Sequence, residues 1–131
     1  MKFLCLAYYD PAKFDALSDA QRQAIVSQCP RFDEALIATG ALVMHGSLAT
    51  PADSGSVRPR GGKPNVVDGP YAETKEYVGG FFMIEARDLA DASRIASLHP
   101  AAQLGEDVGW GIEVRAIGAC RARDASFVVQ E

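Results

Sequence analysis

No run of apolar residues in the chain approaches the roughly 18 that a membrane span requires. The opening run, Phe3 to Ala7, is too short for a secretory leader and leads into Tyr-Tyr-Asp-Pro instead of a small-residue cleavage site. Cysteine is scarce: Cys5, Cys29 and Cys120 are odd in number, far apart and never spaced Cys-x-x-Cys. That argues against a disulfide scaffold and for a reducing, cytoplasmic setting. Histidine is scarcer still. His45 and His99 fall in neither His-x-His nor His-x3-His spacing, so no metal site is expected. Positive charge is also short, 13 Lys and Arg against 17 Asp and Glu for a formal charge of −4. The small basic cluster Arg58, Arg60 and Lys63 is not interleaved with aromatics, which speaks against direct nucleic-acid binding or attraction to anionic lipid. Neither Gly61-Gly62 nor Gly79-Gly80 leads into a helix as a phosphate loop does, and Ser47 stands in no nucleophile elbow. Repeats and low-complexity segments are absent, and at 131 residues with 48% hydrophobic content one soluble globular domain is expected.

What the chain has instead is Asp68-Gly69-Pro70-Tyr71-Ala72-Glu73-Thr74-Lys75-Glu76, followed at once by the apolar Val78-Gly79-Gly80-Phe81-Phe82-Met83-Ile84. Asp-Gly-Pro forces a sharp bend, since Gly tolerates positive φ and Pro presets its own. A dense charged run then meets a core element, a plausible rim for a pocket.

Taken in order, residues 2–9 read as a strand apolar on both sides, ended by Asp10-Pro11. Ser18 and Gln21 have capping-box spacing and open a helix over 19–39, with Ile25, Cys29, Phe32 and Leu36 as its stripe. Pro30 should kink that helix or split it in two. Residues 41–48 form a second strand, and 57–67 a hairpin turning at Gly61-Gly62. Pro59 and Pro64 confine the hairpin to an edge or make it protrude. A third strand covers 78–86. Asp88 caps a second helix bearing Leu89, Ala92, Ile95, Ala96 and His99 on one face, and Pro100 closes it. Residues 110–117 alternate as a half-buried strand, and 119–131 form a C-terminal tail beyond a domain of 1–118.

The order β-α-β, hairpin, β-α-β is the ferredoxin-like split βαβ of the α+β class. It implies an antiparallel sheet with the first and third main strands inside and two helices on one face. The inner strands are apolar on both sides, so the second face needs its own cover. A second copy of the sheet, giving a homodimeric α/β barrel, is the simplest one. Phe127-Val128-Val129 of the tail could serve as an arm across that dimer or simply end the chain.

The nonapeptide 68–76 with Gly79-Gly80-Phe81 resembles the signature of the YCII-related family, in particular its DGPF branch, with Tyr71 where Phe is usual. The opening Met-Lys-Phe-Leu-Cys-Leu-Ala-Tyr-Tyr, the Gly40-Ala-Leu segment and His99-Pro100-Ala-Ala are similar too, and the resemblance covers about residues 1–118. It implies the ferredoxin-like domain paired into a dimeric α/β barrel. The wider fold group includes cofactor-independent isomerases, lyases and monooxygenases acting on small, often aromatic molecules, so no cofactor is expected. Some relatives occur beside or fused to sigma factors, which implies a transcription-related protein partner as an alternative. The narrower YCII-like branch is associated with a His–Asp pair whose His lies on the first helix. By its spacing from Gly40, Cys29 stands near that position, so the pair is not carried over.

Asp68 and His99 stand as the candidate catalytic residues and Glu73, His45 and Lys75 as candidate ligand-binding residues. Each has a structural alternative. Asp68 suits an Asx-type turn, and the charged run suits a solvated surface. His99, on the stripe near a helix end, is either an imidazolium favoured by the helix dipole or a hydrogen-bonded structural histidine. The face of His45 is undetermined. Two functions fit: a small dimeric barrel binding a small molecule, with acid/base chemistry, or a non-catalytic module binding a metabolite or a protein.

Overall fold

The computed structural model describes residues 1–123, and the expected arm at 127–129 lies outside the described residues. Strand β1 (Lys2–Tyr9) runs into helix α1 (Pro11–Asp15), then α2 (Asp19–Val26), α3 (Cys29–Ala38) and β2 (Leu42–Ser47). A 3-10 turn at Pro51–Asp53 precedes the hairpin β3 (Gly55–Arg60) and β4 (Lys63–Asp68). Next come β5 (Tyr77–Glu85), α4 (Leu89–Ala96), two further 3-10 turns at Pro100–Ala102 and Glu106–Val108, and β6 (Gly111–Ala116).

The four main strands form one antiparallel sheet in the order β2-β5-β1-β6, with the doubly apolar strands inside as their composition requires. The α+β, ferredoxin-like reading holds, and within one chain the sheet is open. Phe3 and Cys5 of β1 and Phe82 and Ile84 of β5 point to the same face and are buried with Leu36 of α3 and Ala92, Ile95 and Ala96 of α4. The core therefore lies between the helices and one side of the sheet. On the other side Leu4, Leu6, Phe81 and Met83 stay only half-buried, paired Leu4 to Met83 and Leu6 to Phe81.

The hairpin stands as its own two-stranded sheet, with Pro59 opposite Pro64 and the turn at Gly61-Gly62. Two prolines facing each other remove ladder donors, which keeps this ribbon off the main sheet. Gly79-Gly80 marks a bulge: Ala7 pairs with Gly80 but Tyr8 with Val78, leaving Gly79 as the extra residue. The Tyr9 ring lies over that position, and a Cβ on Gly79 would come within 2.8 Å of it.

Two expectations are corrected, and an alternative left open is decided. The segment after Asp10 is not merely a strand end: Asp10, only 3% exposed, accepts a hydrogen bond from the Lys13 amide (3.2 Å) and caps α1, with Pro11 in its first turn. Asp-Pro terminates a strand and starts a helix by the same two properties. Of the two outcomes expected at Pro30, a kink or a split, the structure has the split: Pro30 falls in the first turn of α3, where its missing N–H costs nothing. The Ser18–Gln21 box forms as expected, at 3.1 and 2.8 Å. Lastly, Leu89 is 56% exposed and His99 lies beyond α4, in extended backbone ahead of Pro100, so neither belongs to that helix's buried face.

Candidate functional site

At one end of the helix-covered face the core gives way to a cavity of about 510 Å3. Its floor is the sheet: Ala7, Gly80 and Ser47 occupy adjoining register positions on β1, β5 and β2, and His45 follows two residues along. Small residues here leave space that larger ones fill further along the same face, where Cys5, Phe82 and Ile84 pack under α3 and α4. Phe14 of α1, Cys29 and Asp33 of α3, and His99 with Pro100-Ala101 form the walls, and Trp110 closes one side. Trp110 is held by the turn before it, its ring occupying the space that any side chain on Gly105 would need. Gly105 has φ +71°, so glycine is needed there twice over.

His99 is the best-fixed polar group of the wall. Its ring stacks on Phe82 with centroids 4.6 Å apart and planes 3° from parallel. Its Nδ1 accepts a hydrogen bond from the Ala101 amide at 3.0 Å. Burial pushes its pKa below the ordinary histidine value, the nearby His45 adds to that, and the Asp33 carboxylate opposes it. Of the two alternatives for His99, the geometry is that of the hydrogen-bonded histidine and not of an imidazolium at a helix end. The ring sits past the helix end, under apolar cover, and its Nδ1 already accepts a hydrogen bond. A folded-state pKa below the unfolded one means that, as pH falls, the unfolded chain takes up the proton first. Stability carried by His99 is whole above the unfolded value, about 6.5, and declines as pH drops toward the lower folded value. Urea unfolding between pH 7 and 5 is expected to show this decline in the wild type and a shallower one in His99→Phe. Equal slopes would count against it.

Cys29 lies on the cavity wall one helical turn before Asp33, the position where the resemblance would set a histidine. Its thiol contacts the Ile25 carbonyl at 3.7 Å. Burial, then the Asp33 carboxylate, push its pKa up. Both influences lower the thiolate fraction that a nucleophilic cysteine needs. Asp33 escaped the sequence reading because it sits amid charged helix residues. Its i+4 spacing from Cys29 was the signal that could have found it.

Of the five candidate residues, the structure brings His45 and His99 to the cavity. Asp68, Glu73 and Lys75 do not line it. Asp68 is exposed at the end of β4, before Gly69 at φ +107°. The loop is tied to itself and to the hairpin. Arg58 lies over the Tyr71 ring at 3.8 Å and donates to the Tyr71 carbonyl at 2.6 Å. Ser56 Oγ donates to the Gly69 carbonyl at 2.8 Å, and Thr74 Oγ1 to the Glu76 carbonyl at 2.7 Å. The charges of the run face solvent, and its backbone is fixed. Among the described residues no group of three or more His, Cys, Asp or Glu is placed to hold a metal ion, and no helix is long and apolar enough to cross a membrane.

A model of the YCII-related domain matches residues 1–115. An uncharacterised protein of Rhizobium meliloti (strain 1021) is 27% identical over 92 residues, 70% of this chain and 74% of that protein. Among solved structures, 5-chloro-2-hydroxyhydroquinone dehydrochlorinase from Burkholderia phenoliruptrix AC1100, in complex with 2,5-dihydroxybenzoquinone, is similar with a TM-score of 0.43 and 16% identity. That match covers 90% of this chain and 95% of the other.

Proposed function

The chain belongs to the YCII-related family, and on that premise we propose that it is a small homodimer which binds a ring-sized organic molecule in the cavity between helices and sheet and performs acid/base chemistry on it without a cofactor. The nonapeptide 68–76, which resembles the DGPF signature, supports placing it in that branch. The observation that carries the reading is the company kept on the cavity wall: Asp33, His45 and His99 among Tyr9, Phe14 and Trp110. An apolar, aromatic-lined hollow with a few converging polar groups is the usual form of a small-molecule site. Asp33 and His45 supply the proton acceptors. Asp68, Glu73 and Lys75 lie off the cavity lining and take no part in the chemistry.

Amide chemical shifts recorded while small neutral aromatic compounds are added test this. Movement is expected at Ser47, Gly80 and Ala101, with affinity weakened in Asp33→Asn and unchanged in Asp68→Asn. Shifts gathered on 68–76, or none from a broad fragment set, would sink the assignment.

A second reading, a protein-binding module linked to transcription, has one observation in its favour. Val57, Val66 and Val67 on the hairpin are 61%, 72% and 53% exposed beside Arg60 and Lys63, a projecting apolar-and-basic ribbon. Such exposure suits a partner contact. If Val66→Asp abolishes capture of a partner while ligand binding persists, this reading gains.

A further inference from the structure

We propose that His99 acts in this cavity as a hydrogen-bond donor through its Nε2–H, and that the ligand is a neutral, ring-sized carbonyl compound whose oxygen sits on that hydrogen. The proposal rests on the cavity being the ligand site and deepens it by naming the ligand's chemistry. It starts from valence. In a neutral imidazole one nitrogen carries the proton and the other accepts. The Ala101 amide donates to Nδ1, so that nitrogen is the acceptor and the proton is on Nε2. Phe82 covers one face of the ring in parallel contact. What His99 can offer the cavity it lines is therefore its Nε2–H and its free face. Neither is a base, and the ring is locked by two contacts from separate elements, β5 and the turn after α4.

The rest of the wall selects the partner. Among the described residues lining the cavity there is no Lys or Arg and one carboxylate, Asp33. A carboxylate or phosphate on the ligand would meet that charge in an apolar enclosure with no cation to offset it. An uncharged oxygen acceptor fits instead, flanked by a ring against Tyr9, Phe14 or Trp110. If chemistry follows, a donor fixed at the carbonyl oxygen holds the negative charge that develops when Asp33 or His45 takes a proton from the neighbouring carbon. The C–H electron pair becomes the new carbon–carbon double bond, the carbonyl π pair moves onto the oxygen as an enolate, and the proton rests on Asp33 or His45.

The test compares 4-hydroxyacetophenone with 4-ethylphenol, which lacks the carbonyl, and with 4-hydroxybenzoate. Dissociation constants are measured on wild-type protein, His99→Phe and His99→Gln. The wild type is expected to bind the ketone about tenfold more tightly than 4-ethylphenol, the worth of one good hydrogen bond, and to reject the benzoate. His99→Phe should keep the stack on Phe82 and lose the preference, while His99→Gln, with its amide N–H, should recover part of it. Long-range 15N spectra of the histidines should show Nδ1 bare and Nε2 protonated. A bare Nε2, or a ketone preference that survives in His99→Phe, overturns the donor role while leaving the cavity assignment standing. If no ring compound binds, the cavity assignment itself falls, and this proposal with it.

Discussion

Replacing Phe82 with alanine is expected to cost about 3–5 kcal/mol of folding stability, the range for removing a fully buried aromatic ring. Phe82 has 0% exposure and sits on an inner strand, opposite Cys5 on one side and His45 on the other. Its neighbours are fixed by ladders on both flanks, so the hole cannot collapse easily. A second effect should accompany the first. With the ring gone, His99 loses the surface that covers one of its faces. Its pKa, held down first by burial, should climb back toward the ordinary histidine value. Urea unfolding at pH 7 measures the first effect and proton NMR titration of His99 the second. Phe82→Leu separates them, because it keeps much of the volume and loses the stack. A loss below about 1 kcal/mol in Phe82→Ala, within the span of ordinary surface changes, together with an unmoved His99 titration, would show that the ring is not the joint between core and cavity.

That joint also marks where sequence reading stops. The strands were legible because segments apolar on both sides, as 2–9 and 78–86 are, must be covered on both, and the structure sets both strands inside the sheet. The hairpin and its Gly61-Gly62 turn were legible from local chemistry alone. Helix α1 was not, since Asp10-Pro11 carries both a stop and a start signal and only the burial of Asp10 decides between them. The site was half legible. His45 and His99 stood out as the only imidazoles in the chain. Their meeting with Asp33 depends on contacts between residues far apart in sequence, which no local spacing encodes. The nonapeptide drew attention because charges crowd there. Yet Arg58 on Tyr71, Ser56 on the Gly69 carbonyl and Thr74 on the Glu76 carbonyl fix the backbone of that run through contacts that use none of its charged side chains. Lys75 and Glu73 are exposed there.

Leu6→Glu is expected to turn the proposed homodimer into a monomer, raising its dissociation constant by more than about a hundredfold. Leu4, Leu6, Phe81 and Met83 form the centre of the sheet face that no helix covers. Phe81 lies flat across β2 because Gly46 opposite has no side chain: a Cβ there would stand 2.8 Å from the ring tip. The face is thereby smooth enough for a second sheet to pack at close range. Its margin on β6 is polar, with Arg115 exposed and the Tyr8 hydroxyl bonded to Glu113 at 3.2 Å, the apolar centre and polar rim of an interface. In a two-fold pairing a new carboxylate at the centre would be buried without a cation and would approach its own image. Sedimentation equilibrium in the micromolar range reads the change, with Val66→Glu, on the hairpin and 72% exposed in the wild type, as the substitution expected to leave association untouched. A wild-type chain that sediments as a monomer at those concentrations, or a Leu6→Glu variant that associates as tightly as the parent, would remove the barrel from the proposal and leave each cavity to work alone.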